Sequence, residues 1–255
     1  MQEIRSQARI ALPETGGYVS QHSDQFRLEG VLSYRSAYTQ VAGNRSLKPG
    51  QGWSTLTTSV VEGLNVLDVV TADRVVGQMI TEHPIDGYVP SVNFLGTRFE
   101  NLRIAGHPVA LDVNLNLLGA RPANDAFYSN DPGVVERVGA QHKNILAHGD
   151  LPDDLRERYN RLSSSVRGVG SFECSLVNQA TGSLPGRSFG HIIVIPDFGK
   201  VVLGKLTVSS EEAKPGTQTP RKTTIKLVMI DMELGCAIDG GIGVVGGDTN
   251  GGTVP

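Results

Sequence analysis

The chain of 255 residues contains only two cysteines, Cys174 and Cys236. Two cysteines are too few for a disulfide framework, and too few for a structural zinc site, which needs about four ligands. Both lie in segments with the residue pattern of β-strands. The sequence therefore predicts either one disulfide between Cys174 and Cys236 or two buried thiols.

Neither sign of charge dominates the chain, because it contains 23 lysines and arginines and 26 acidic residues. The basic residues are dispersed, so the sequence lacks a surface for a phosphate backbone, and we expect no nucleic-acid partner. No apolar run approaches the roughly 20 residues of a membrane-spanning helix, and the N-terminal residues lack the apolar run of a signal peptide. We expect no membrane insertion, and a cytoplasmic protein if Met1 is the native start.

Recognisable catalytic motifs are also missing. The sequence has no Gly-x-Ser-x-Gly around a serine nucleophile and no glycine-rich phosphate loop before a helix. His142 and His148 lie six residues apart, a spacing that does not place both rings on one helix face as a metal pair. The sequence therefore favours a protein that is not an enzyme and has no cofactor or metal. It does not exclude catalytic residues that meet only in space.

Two short segments match the residues of known motifs but lack the sequence context that those motifs need. Residues 12–16 read Leu-Pro-Glu-Thr-Gly, the sorting signal of Gram-positive surface proteins, which works near a C-terminus before a membrane-spanning stretch. We interpret this segment as a turn. Residues 248–251 resemble the opening of a calcium loop, but the closing glutamate would fall beyond residue 255. We interpret residues 246–255 as a glycine-rich tail that packs only if a neighbouring subunit holds it.

Turn-forming residues are plentiful, with 31 glycines and 13 prolines. Between them, short β-branched runs recur from residue 53 to residue 118 without a helical pattern. Apolar and polar side chains alternate most clearly over residues 109–118, which predicts a half-buried strand. The sequence thus predicts a mainly β protein, an antiparallel β-sandwich or barrel. The predicted strands are residues 3–12, 18–20, 26–38, 60–79 as two strands or one bent strand, 92–95, 97–104, 109–118, 172–178, 191–196, 200–209, 223–234 and 237–245.

Residues 130–165 follow a different pattern, because β-branched residues become rare and charged residues recur at helical spacing. Asp131 and Pro132 form an N-cap and a first-turn proline, and a second helix is predicted to start at residues 150–154. We expect a helical hairpin inserted into a single β-rich domain that spans residues 1–255.

Three phrases occur in order within residues 53–118: GLNVL at 63–67, VTAD at 70–73 and FENLRIAGHPV at 99–109. In these phrases the segment resembles the choice-of-anchor P domains, which are glycine-rich β modules of bacterial surface proteins. The resemblance implies a β-rich module that is displayed at the cell surface or secreted and is not catalytic. It transfers no functional residues, because those domains have no motif of catalytic residues.

Two functions follow from these observations. The first is a non-catalytic structural, adhesive or self-assembling module of the bacterial cell surface, whose partner is a further copy of itself bound through strand edges and the glycine-rich tail. The second is a small-molecule-binding, isomerising or cyclising β-barrel with a polar-lined cavity. The candidate pocket residues for the second function are Asp112, Asn114, Asn116, Tyr88 and His107.

Overall fold

A computed structural model describes residues 8–28, 30–167, 170–213, 221–235 and 240–251 of the chain. Over these residues the protein is mainly β, with antiparallel sheets and two helices, which confirms the predicted fold class. No helix of the described residues is long and apolar enough to span a membrane.

The first sheet is built from the N-terminal part of the chain. Two long strands, β5 (Gln51–Val66) and β6 (Val70–Pro84), form its centre, and β4 (Ser36–Arg45) pairs along β5. Within the described residues β1 (Gly17–Ser23) pairs only with β4, so β1 is an edge strand. The short strands of this sheet are β2 (Phe26–Leu28), β3 (Leu32–Tyr34), β7 (Ser91–Asn93), β8 (Arg98–Glu100), β9 (Arg103–Ile104) and β10 (His107–Pro108).

The C-terminal part of the chain forms the second sheet and a separate two-stranded ribbon. The ribbon pairs β11 (Ala110–Val113) with β13 (Val177–Thr181). The second sheet has β16 (Gly199–Glu211) and β17 (Lys222–Leu234) at its centre. Its other strands are β12 (Gly170–Ser175), β14 (Arg187–Phe189), β15 (Ile192–Ile195) and β18 (Gly240–Gly251).

The two sheets pack face to face as a sandwich. Strand β18 lies against β5 and β6, where the Ser59 hydroxyl donates a hydrogen bond to the Gly246 carbonyl at 3.2 Å. Buried side chains from both sheets, among them Val75, Met79, Leu203 and Leu227, belong to one apolar core. Burial of this shared core is the main favourable contribution to the fold.

The helical hairpin forms a third layer. It consists of α1 (Pro132–Leu146) and α2 (Asp153–Ser165). As predicted, Asp131 caps α1 by accepting a hydrogen bond from the Val134 amide at 2.9 Å, with Pro132 in the first turn. The hairpin packs on the outer face of the second sheet. Its own apolar cluster contains Ile145, Leu151, Leu155, Tyr159, Phe189, Ile192 and Val202.

Several predicted boundaries were wrong. The strand predicted over residues 109–118 ends at Val113 and gives way to a turn, so alternation beyond that point does not mark a sheet face. Residues 8–12 form no strand, and residues 3–7 of the same prediction lie outside the described part. The tail prediction was also wrong up to residue 251, because β18 pairs along the whole of β17 and thereby satisfies its backbone groups.

The two motif-like segments have plain structural explanations. Residues 13–16 form a turn, as interpreted, closed by a hydrogen bond from the Gly16 amide to the Pro13 carbonyl at 2.9 Å. Gly16 has φ of +75°, and a Cβ atom there would lie 2.5 Å from the Gly43 carbonyl oxygen, so glycine is required. Residues 248–251 are extended backbone within β18 and not a cation-binding loop.

Candidate functional site

An open groove of about 620 Å³ lies between α1 and the ribbon. Five lining residues come from α1, and four of them lie at the i, i+3, i+4, i+7 spacing of one helix face, namely Arg137, Ala140, Gln141 and Asn144. Lys143 adds a second cation from the same helix. Across the groove lie Asn114, Leu117 and Asn178.

Gln141 fixes the position of α1 against the second sheet. Its Nε2 donates to the Ser175 carbonyl at 2.9 Å, and its Oε1 accepts from the Ser175 amide at 2.8 Å. Both ends of this buried carboxamide are therefore used within the protein. Gln141 holds the groove wall in place and has no free group for a ligand.

Arg137 is half-buried at the rim of the groove. Its Nε donates to the Leu117 carbonyl at 2.7 Å, and its guanidinium lies against the backbone at Gly119 and Gly133. The half-buried Arg74, Arg121 and Arg158 each contact a carboxylate, whereas Arg137 contacts none among the described residues. A half-buried guanidinium without a carboxylate has unused capacity to bind an anion.

The three asparagines of the groove leave donors and acceptors available. Asn114 uses its Oδ1 to accept from the Asn116 amide at 3.1 Å, so its Nδ2 is open. Asn178 uses its Nδ2 to donate to Asp112 at 3.1 Å, so its Oδ1 is open. The side chain of the exposed Asn144 has no hydrogen bond within the described residues. The groove therefore presents both kinds of hydrogen-bonding group beside its two cations.

The five pocket residues predicted from the sequence do not meet around an interior cavity. Asn114 lines the groove, and Asp112 reaches its edge through Asn178, but Asp112, Asn116 and His107 are exposed. Tyr88 lies elsewhere, in a loop whose amide donates to the Asp125 carboxylate at 2.9 Å. The prediction failed because β11 is shorter than its alternating pattern, so its polar residues spread over a turn.

Sequence reasoning missed the α1 side of this groove. Arg137 and Asn144 occupy the positions beside the buried stripe of Val134, Val138 and Ile145. The available signal was the set of polar residues at helical spacing along one flank of that stripe, which is also the pattern of an ordinary solvated helix face.

A second polar cluster is enclosed between the hairpin and the second sheet. The Tyr159 hydroxyl and the His191 Nε2 share a hydrogen bond of 2.9 Å, and the His142 Nε2 donates to the Glu173 carbonyl at 2.8 Å. Burial, together with the neighbouring His142 and Arg158, lowers the pKa of His191 to about 3. Burial also lowers the pKa of His142. Both histidines are therefore neutral at ordinary pH.

The burial of this histidine and tyrosine cluster is typical of a structural element of the core. Neither imidazole has a partner for its Nδ1 among the described residues, and no group of three or more metal-ligating side chains was found there. Cys174 lies in the same sheet as a buried free thiol, and burial raises its pKa, which makes it unreactive. Cys236, its predicted disulfide partner, lies outside the described residues.

Ion pairs surround the buried cluster on the outer face of the second sheet. Arg158 of α2 donates to Glu173 at 2.7 Å and to Glu233 at 3.2 Å, and Lys200 pairs with Asp154. Lys205 lies 2.9 Å from Asp231. The pairs of Arg158 and Asp154 join the hairpin to three strands, β12, β16 and β17, and fix its position, whereas the Lys205 pair joins two strands of the sheet.

The edge strand β1 is the third site of interest. Its seven residues, GYVSQHS, include no lysine, arginine, acidic residue or proline. Most of its side chains are exposed, with Tyr18 at 62%. Natural proteins block such edges with lysine, proline or a covering segment, and none is present on β1 within the described residues.

The fold and these sites define a two-sheet antiparallel β protein with a docked helical hairpin, an open edge strand and a polar groove. The chain belongs to the family described as a domain of unknown function, DUF8256, whose family model matches residues 1–209. The match includes the first sheet, the hairpin and every residue of the groove. No curated protein and no solved structure matches the chain.

Proposed function

We propose that this protein is a non-catalytic structural module that assembles with further copies of itself through the edge of β1. The observation that carries the proposal is the seven-residue, uncharged, open edge of that strand. An unpaired edge offers a row of amide and carbonyl groups to a new strand. Because β1 carries no charge of fixed sign, a second β1 meets no like-charge repulsion there.

The neighbouring surface supports the same proposal. Tyr18 pairs with Ala42, Ala42 with Leu56, and Leu56 with Ile80, so these apolar side chains form one row across four strands. Tyr18 and Leu56 are exposed. A strand added at β1 would extend this row and cover its exposed end. The tail has no part in the contact up to residue 251, because β18 is already paired with β17.

The resemblance of residues 53–118 to choice-of-anchor P domains supports a bacterial cell-surface or secreted setting for this assembly. That segment contains β5, β6 and the short strands paired with β6, so it is the centre of the sheet whose edge is open. Growth of this sheet from copy to copy joins the modules without any catalytic site.

Sedimentation velocity over a range of protein concentrations tests the proposal. We expect larger species as the concentration rises, and their loss in Ser20→Lys, which places a charge in the middle of the edge. Ser20 is exposed and makes no side-chain hydrogen bond within the described residues. Asn160→Lys adds the same charge on the exposed face of α2 and should assemble like the wild type.

Two results would contradict this function. One is a wild-type protein that stays monomeric at the highest concentration reached. The other is an assembly that Ser20→Lys leaves intact, which would place the contact on another surface.

A further inference from the structure

We propose that the groove between α1 and the ribbon binds a short peptide segment that carries a carboxylate. Residues 114, 117, 137, 140, 141, 143, 144 and 178 line this groove, and none of them is acidic or aromatic. Its volume of about 620 Å³ lies within the roughly 300–1,000 Å³ that is usual for small-ligand sites.

The charges of the groove select an anion. Arg137 and Lys143 project from the same helix, and neither forms an ion pair among the described residues. Asp112, beside the groove, accepts a hydrogen bond from Asn178. Asp131, at the start of α1, is occupied by its capping bond to the Val134 amide. Two cations therefore face the groove with their anion-binding capacity unused.

The carboxamides distinguish a peptide from a simple anion. Among the described residues, Asn114 has an unpaired side-chain donor, Asn178 has an unpaired side-chain acceptor, and Asn144 has both. A peptide backbone presents amide donors and carbonyl acceptors at every residue, so it can satisfy both kinds of group. Inorganic phosphate presents mainly acceptors and leaves the Asn178 oxygen unmatched. The absence of an aromatic side chain from the lining removes the stacking platform that a nucleobase requires.

Contacts within the protein hold the two walls of the groove in place before a ligand binds. Gln141 ties α1 to Ser175, and Arg137 is held by the Leu117 carbonyl, so both walls of the groove keep their spacing without a ligand. A preformed groove spares a peptide much of the ordering cost of binding. The apolar floor of Leu117 and Ala140 suits small side chains.

Calorimetric titration with blocked tetrapeptides tests this inference. Acetyl-tetraalanine with a free C-terminal carboxylate should bind the full chain, and its C-terminal amide should bind at least about tenfold more weakly. A second pair, acetyl-Ala-Ala-Asp-Ala-amide and its Asn counterpart, shows whether a side-chain carboxylate serves instead. Binding of either acid over its neutral partner supports the proposal and identifies the source of the carboxylate.

Variants locate the site. Lys143→Met and Asn144→Leu change exposed residues of α1. Each should weaken the binding of the peptide acid several-fold without altering the circular dichroism spectrum. Arg137→Met should weaken it most, by about tenfold or more. Arg161→Met removes a cation from the exposed face of α2 and should leave binding unchanged.

The contrary outcomes are equally specific. Equal binding of acid and amide would show that the cations do not recognise the ligand. Binding of inorganic phosphate in preference to the peptide acids, or no binding of any peptide acid, would overturn the assignment. The monomeric Ser20→Lys variant should bind the peptide like the wild type, so failure of the groove and failure of self-assembly are distinguished.

Discussion

The outer faces of the two sheets differ in how they are covered. The second sheet presents Ile192 and Val202 outward, and the hairpin buries them together with His142 and His191. Ion pairs around this buried cluster join the hairpin to the sheet. The outer face of the first sheet buries Val60 and Val76 but leaves Leu56 and Tyr18 exposed towards the edge strand β1. The covered face therefore contributes to stability, whereas the exposed part of the first sheet, next to β1, is the surface that the proposed assembly would use.

Two matched leucine truncations test that contrast most strongly. Leu155 of α2 is 1% exposed, and Leu56 of β5 is 37% exposed. We expect Leu155→Ala to lower the free energy of unfolding by about 2–5 kcal/mol, because it opens a cavity under the hairpin. Leu56→Ala should change it by less than about 1 kcal/mol, since that side chain is already in contact with water. Urea unfolding of both variants measures the two effects, and equal losses would contradict the comparison.

A pair of arginine substitutions examines the ion pairs. Arg158 bridges Glu173 and Glu233 with its side chain mostly buried, whereas Arg98 contacts Glu100 on the exposed β8. Arg158→Met should destabilise by about 1–3 kcal/mol, because it leaves Glu173 with a weaker partner. Arg98→Met should cost less than about 0.5 kcal/mol, as expected for an exposed pair. Thermal unfolding at low and high salt checks both, and a larger loss for Arg98→Met would be inconsistent with the structure.

The buried histidines make stability depend on pH. His142 and His191 have pKa values lowered by burial, with His191 at about 3, whereas an unfolded histidine titrates near 6.5. As the pH falls below about 6.5, the unfolded chain binds protons that the folded chain does not. Each histidine then lowers stability by up to ~1.4 kcal/mol per pH unit, down to its folded pKa.

Replacement of His191 isolates this effect. Urea unfolding measures the free energy of unfolding at pH 7 and at pH 5. Between these pH values it should decrease less for His191→Gln than for the wild type, because one titrating group is gone. Carboxylates titrate near pH 4 and contribute little in this range. The exposed His107 provides the control, and His107→Gln should keep the wild-type slope. An unchanged slope in His191→Gln would show that His191 is protonated in the fold.

The smallest expected effect is on the stability of the isolated module. Ser20→Lys should change the free energy of unfolding by no more than about 0.5 kcal/mol, because Ser20 is exposed and contacts no side chain within the described residues. Unfolding at low protein concentration measures this directly. A larger loss would mean that β1 requires its serine for pairing with β4, and the assembly experiment would then need a different edge residue.

Local chemistry explains what the sequence could predict. Asp131 and Pro132 mark the start of α1 in any context, because capping and the proline φ angle act within one turn. A turn at residues 67–69 separates β5 from β6, as expected if residues 60–79 contain two strands, and residues 67 and 68 adopt positive φ there.

Non-local pairing accounts for the failures. The glycine-rich β18 forms because β17 lies beside it, and no neighbour in the sequence indicates this. The groove joins Asn114 to Arg137 and Asn178, and only the docking of α1 through Gln141 and Ser175 brings these residues together. Which strand is the open edge also depends on the order of the whole sheet, so the pattern of β1 alone could not identify it.

Hydrogen–deuterium exchange at low and high protein concentration tests the central claim most directly. The account predicts that amides of residues 17–23 become more protected as the concentration rises, while amides of α2 exchange at the same rate in both samples. Exchange in residues 17–23 that is independent of concentration, alongside larger species in solution, would contradict assembly through β1.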